Sequence, residues 1–112
     1  MIDRTGIEQI LAQYAKHGWL LRRVLLSPGY REAGMASVFQ DTEVKESDLD
    51  GLWFSRSSQP GITAWELRHL SAMPFALVEN ITDTTVSDDA DKILRDVESR
   101  MIEVIRRRQI GH

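Results

Sequence analysis

The segment from Gly51 to Leu70 constrains this chain more than any other, because it sets large rings on both faces of one sheet. Leu52-Trp53-Phe54-Ser55-Arg56-Ser57 and Ala64-Trp65-Glu66-Leu67-Arg68-His69 flank Gln59-Pro60-Gly61. Two bulky, aromatic runs around a Pro-Gly turn signal predict a β-hairpin. Strand side chains alternate, so Trp53 and Phe54 must point to opposite faces. Paired without a bulge, one face carries Leu52, Phe54 and Arg56 beside Trp65 and Leu67. The other carries Trp53, Ser55 and Ser57 beside Ala64, Glu66, Arg68 and Leu70. A tryptophan on that second face needs a cover, and the nature of the cover is the functional question.

The flanking segments supply helices and further strands. Thr5 with Glu8 has the spacing of a capping box, and Ile7, Ile10, Leu11 and Tyr14 follow at helical spacing. Gly18 suits a left-handed residue past a helix end, which predicts a first helix over about residues 6–17. Residues 19–27 are apolar at both odd and even positions, as in a strand covered on both sides. Residues 30–39 read as a short helix with Ala33, Ala36 and Phe39 inward, and residues 42–45 as a short edge strand. Residues 75–81 form another strand, with Phe75, Leu77 and Ile81 on one side. Thr85 or Ser87 then caps a last helix, whose apolar stripe is Ile93, Leu94, Val97, Met101, Val104 and Ile105. The expectation is one α+β domain over residues 1–112: an antiparallel sheet of about four strands, with N- and C-terminal helices packed on one face.

Composition narrows the function classes. The 112 residues carry 14 basic and 17 acidic side chains, a net charge of -3, which gives no global attraction for nucleic acid or an anionic membrane. There is no cysteine, which excludes disulfides, thiolate nucleophiles and thiolate metal sites. Residues 1–6 lack the pattern of a secretory signal, and the apolar run at 19–26 is too short to span a bilayer. A cytoplasmic location without membrane attachment is the expectation.

Motifs for chemistry are sparse. Of the three histidines, only His69 lies where a site can be built, beside Glu66 and Arg68. Ser55, His69 and Asp50 form a hydrolytic triple on paper, but no nucleophile elbow accompanies them, so no catalytic residue is assigned. Glu46, Asp48, Asp50 and Gly51 copy the start of a calcium loop. The position that needs a bidentate glutamate is Ser57, however, so no metal ligand is assigned. No glycine-rich phosphate loop occurs, and no cofactor is expected. Arg106-Arg107-Arg108 is the one dense basic run, and its location in the last helical turn already suits the negative end of the helix. Arg22 and Arg23 should face opposite ways in a strand and so not join it.

The second hairpin face mixes aromatic, arginine and small polar residues, which is the make-up of a protein interface. The expected function is therefore a non-catalytic interaction module that forms a homodimer, or meets a partner protein, through that sheet face. Trp53, Arg56, Glu66, Arg68 and His69 are the interface or ligand candidates. The alternative is a small enzyme or ligand-binding protein with a pocket near Trp53 and His69. A further alternative is nucleic-acid binding through the C-terminal arginines.

Overall fold

A computed structural model describes residues 2–39 and 41–110. The order of elements is α1 (Arg4–Lys16), β1 (Leu20–Leu26), α2 (Pro28–Glu32), a 3-10 turn (Met35–Val38), β2 (Val44–Glu46), β3 (Gly51–Gln59), β4 (Ile62–His69), β5 (Ala76–Thr82) and α3 (Ser87–Ile110). The five strands lie in the order β2-β1-β3-β4-β5, all antiparallel except the parallel pair β1–β2. The α+β class with terminal helices is as expected. The fifth strand is the short edge segment, shifted to 44–46, and the connection through α2 is what lets it run parallel to β1.

The helices lie on opposite faces of the sheet, where one face was expected. Ile7 of α1 and Tyr30 of α2 pack with Val24, Leu26, Leu52 and Phe54 on the first face. Leu94, Val97 and Met101 of α3 pack with Leu25, Trp53 and Leu67 on the second. The chain thus covers Trp53 with its own helix, leaving it 0% exposed, and its indole Nε1–H donates to Glu98 Oε2 at 2.8 Å. Trp53 is therefore a core residue and not part of a surface patch.

One unpaired residue explains the changed faces. Ser57 pairs with Thr63 and Gln59 with Ile62, so Ser58 is an extra residue in β3. A single inserted residue shifts the register and turns every later side chain to the other face. Trp53 therefore stands opposite Leu67 and Phe54 opposite Glu66, where the unbulged pairing would set Phe54 against Leu67. The bulged register wins because Trp53, Trp65 and Leu67 then share the face that α3 buries. A second bulge at Arg22 separates Leu21↔Phe54 from Arg23↔Trp53. That extra residue turns Arg22 and Arg23 toward the same face: Arg22 sits 5.8 Å from the Trp65 ring centre, and Arg23 meets Asp91 of α3 at 3.7 Å.

Helix ends follow local chemistry. Asp3, not Thr5, caps α1: its Oδ1 accepts from Gly6 N at 2.8 Å. Glu8 instead pairs with Arg4 one turn away at 3.2 Å, so no capping box forms. Gly18 is left-handed as expected (φ 82°). Gly34 (φ 76°) breaks the expected 30–39 helix into α2 and the 3-10 turn, a backbone state that glycine alone adopts at little cost.

Two expected outcomes test this register. Trp53→Ala should lower unfolding free energy by about 3–5 kcal/mol in urea titrations, since a filled site under α3 becomes a cavity. Deleting Ser58 makes Ser57↔Thr63 and Gln59↔Ile62 consecutive pairs and leaves Trp53 opposite Leu67, so the cooperative transition and the near-ultraviolet tryptophan signal should persist; Ser58→Ala, which keeps the bulge, should cost less than about 0.5 kcal/mol.

Candidate functional site

The sheet brings three of the five expected site residues together. Arg56, Glu66 and Arg68 all lie on the first face, by alternation from Phe54 and its partner Glu66. There α1 crosses β1 and β3 and leaves the outer strands barer. Trp53 and His69 are on the opposite face, apart from the other three.

A cleft follows α1 along that first face. One end, of about 430 Å³, is lined by Gln13, Tyr14, His17, Trp19, Arg56 and Glu66. The other, of about 530 Å³, lies between Ile2, Ile10 and the turn bearing Ser71, Ala72 and Pro74, and both ends share Gln13 and Tyr14. Tyr14 is the hinge of the arrangement. Its ring stacks on Phe54 with centres 4.0 Å apart and planes 7° from parallel, and its hydroxyl donates to Glu66 Oε2. Burial raises the Tyr14 pKa, the hydrogen bond to Glu66 and that carboxylate's charge raise it further, and Arg68 opposes them. The phenol accordingly stays neutral and stays a donor.

The two arginines are largely committed to holding the frame. Arg56 donates to the His17 carbonyl at 3.0 Å, where a cation suits the end of α1, and its guanidinium lies 4.5 Å from the Trp19 ring centre. Arg68 donates to the carbonyls of His69 and Ser71 and so shapes the turn that leads toward β5. Tyr14, Gln13 and Trp19 are the cleft residues that the sequence did not single out. Tyr14 carried a signal, its place on the apolar stripe of α1, but that signal reads as core.

Among the described residues, no histidine hydrogen-bonds to a serine hydroxyl. Asp50 spends its carboxylate on Ser27, accepting from the backbone N–H at 2.6 Å and from Oγ at 3.0 Å. Ser55 is buried on β3 opposite Leu20 and Trp65. His69 borders a hollow of about 250 Å³ with Asp50, Ile102 and Arg106. Burial lowers its pKa, Asp50 pulls it back up, and Arg68 and Arg108 push it down. A triad requires histidine between carboxylate and hydroxyl, and here the carboxylate holds a hydroxyl directly. The basic run is dispersed as well: Arg107 pairs with Glu103 at 2.9 Å, and Arg108 lies 4.6 Å from the Phe75 ring centre.

Tyr14→Phe should cost about 1 kcal/mol, because a partly buried carboxylate loses its donor. Folding raises the Tyr14 pKa, so its contribution is complete below about pH 10 and declines as pH climbs through the folded value. Denaturant titrations from neutral to strongly alkaline pH should show a steeper alkaline loss in the wild type than in Tyr14→Phe. Equal slopes would remove Tyr14 from the account. Comparison with models of known protein families, with curated proteins and with solved structures found no match.

Proposed function

We propose that this chain is a non-catalytic protein-interaction domain that works by strand addition at the β5 edge. The observation that carries the reading is an open, unguarded strand. β5 is the outermost strand of the sheet, seven residues long, with an unbroken register against β4. Among the described residues, no backbone hydrogen bond from another segment reaches residues 76–81 from outside the sheet. Proteins usually blunt such edges with lysine, proline, a bulge or brevity. β2, the opposite edge, has three residues and bears Lys45 and Glu46. β5 has none of these guards. Its single charge, Glu79, lies on the α3 face and pairs with Arg100 at 3.4 Å, while Val78 on the other face is 55% exposed.

Self-association through the Trp53 face is set aside, because α3 occupies that face. The interaction reading proposed here uses a different surface. A second reading, capture of a small ligand, is favoured by the cleft beside α1, where Glu66 and Arg56 hold opposite charges without pairing with each other among the described residues.

A peptide copying residues 76–82 presents a strand of matching chemistry and serves as the probe. Added to isotope-labelled protein, it should shift amide resonances of β5 before those of any other strand, as strand addition requires. Shifts confined to Gln13, Tyr14 and Glu66 would favour the cleft reading. No shifts in β5 at about millimolar peptide, in protein that sediments as a monomer, would overturn the edge reading, since a contact weaker than about 4 kcal/mol leaves the strand unoccupied.

A further inference from the structure

We infer that the strand added to β5 is the β5 of a second copy of this chain, paired antiparallel about a two-fold axis at Val78. This rests on the edge reading of β5 and names its partner. Two independent features of the same edge agree on where the axis falls.

The first feature is the strand. A two-fold axis normal to the sheet keeps each residue on its own face, so the axis must pass through a residue. Centred on Val78, the pairing sets Val78 against Val78, Ala76 against Asn80 and Leu77 against Glu79. The one large apolar side chain of β5 that is exposed then covers its own copy. Centred on Glu79, two carboxylates would oppose each other, which is unfavourable.

The second feature is the outer flank of α3. Asp96, Arg100, Glu103 and Arg107 are spaced 4, 3 and 4, which sets them within a sector of about 60° on one side of the helix. That side faces the β5 edge, because Arg100 reaches Glu79 at 3.4 Å. The four charges alternate in sign and remain largely exposed, with side chains 72%, 52%, 64% and 71% accessible. Two contacts fix how α3 lies over β5: Arg100 at Glu79 and Arg108 over Phe75. Eight helical residues, about 12 Å, therefore run antiparallel to four strand residues, about 13.6 Å. By interpolation Val78 lies beneath residue 102.

An axis between Arg100 and Glu103 sets Arg100 against Glu103 of the second copy and Asp96 against its Arg107. All four charges meet their opposites. This helical centre lies within about one residue, or 1.5 Å, of the centre that the strand demands. A Glu79-centred pairing would instead bring the two Arg100 side chains together. An Asn80-centred pairing also alternates charges, but it opposes Val78 to Thr82 and leaves the apolar match unmade. The spacing is feasible as well. α3 packs over β4 and β5, so two copies across joined edges stand roughly 10 Å apart, the distance at which helices pack.

Sedimentation of the full chain between about 1 and 100 μM reads the assembly directly. The wild type should be a dimer, and Val78→Pro and Val78→Lys should both sediment as folded monomers, judged by unchanged near-ultraviolet spectra; the second variant removes dependence on tolerance of proline. Arg107→Glu should weaken the dimer about tenfold, and adding Asp96→Arg should return it to within about threefold of the wild type. The chain has no cysteine, so Val78→Cys introduces a single thiol that should oxidise to a linked dimer, whereas Asn80→Cys should not. A wild-type monomer would overturn the second copy, and β5 resonances that still respond to the strand peptide would show that the edge reading itself had survived. A dimer indifferent to Val78→Lys, or one linked through Asn80→Cys instead, would overturn the axis at Val78.

Discussion

The pairing of β3 with β4 is the constraint on which the rest depends. Six large side chains in these strands must be divided between two faces, and one extra residue, Ser58, decides the division. With it, Trp53, Trp65 and Leu67 make one apolar surface, and α3 has something continuous to lie on. Leu52 and Phe54 fall to the other face, beside Glu66 and Arg68, so that face is apolar over β1 and β3 and polar over β4. α1 covers the apolar part. The cleft along α1 is the boundary between those two zones.

Much of the architecture was legible because it is written in local patterns. The last helix shows a stripe of Ile93, Leu94, Val97 and Met101, and three of these four are almost wholly buried. The hairpin shows a Pro-Gly turn between two β-rich runs, and Gly18 marks the end of α1. What was not legible is register. A bulge leaves no signature in Ser57-Ser58-Gln59, since its driving force comes from α3, some forty residues later in the chain. Arg22 is the same case: alternation sends Arg22 and Arg23 apart, and an unpaired residue brings them back to one face.

The candidate site suffered from the same limit. Glu66 and Arg68 share a face in either register, but the unbulged pairing sets Arg56 on the opposite one, and only the bulge brings the three together. Assigning Trp53 to that face followed from the unbulged pairing, and the bulge reversed it. Tyr14 could not be found from spacing alone, because a tyrosine on a helical stripe carries the same pattern whether its hydroxyl is buried or turned to a carboxylate. His69 was visible as a polar residue in an apolar hairpin, and the structure gives it a local environment of Asp50, Arg108 and Phe75 apart from the cleft.

The two cores differ in how far apart their residues lie along the chain, and this bears on how the molecule assembles. The core beneath α3 draws on residues 49–101 with the single addition of Leu25. The core beneath α1 gathers Ile7, Val24, Tyr30, Phe54 and Leu70, so each of its contacts closes a longer loop. Loop closure is an entropic cost met before the contact forms, and short-range contacts therefore tend to form first. We expect the three-strand meander with α3 to form the folding nucleus, with β1, β2 and α1 added to a sheet whose register is already set. Kinetic φ-values should then be higher at Leu67 and Val97 than at Ile7 and Val24. The reverse order would mean that the bulged register is chosen from the α1 side.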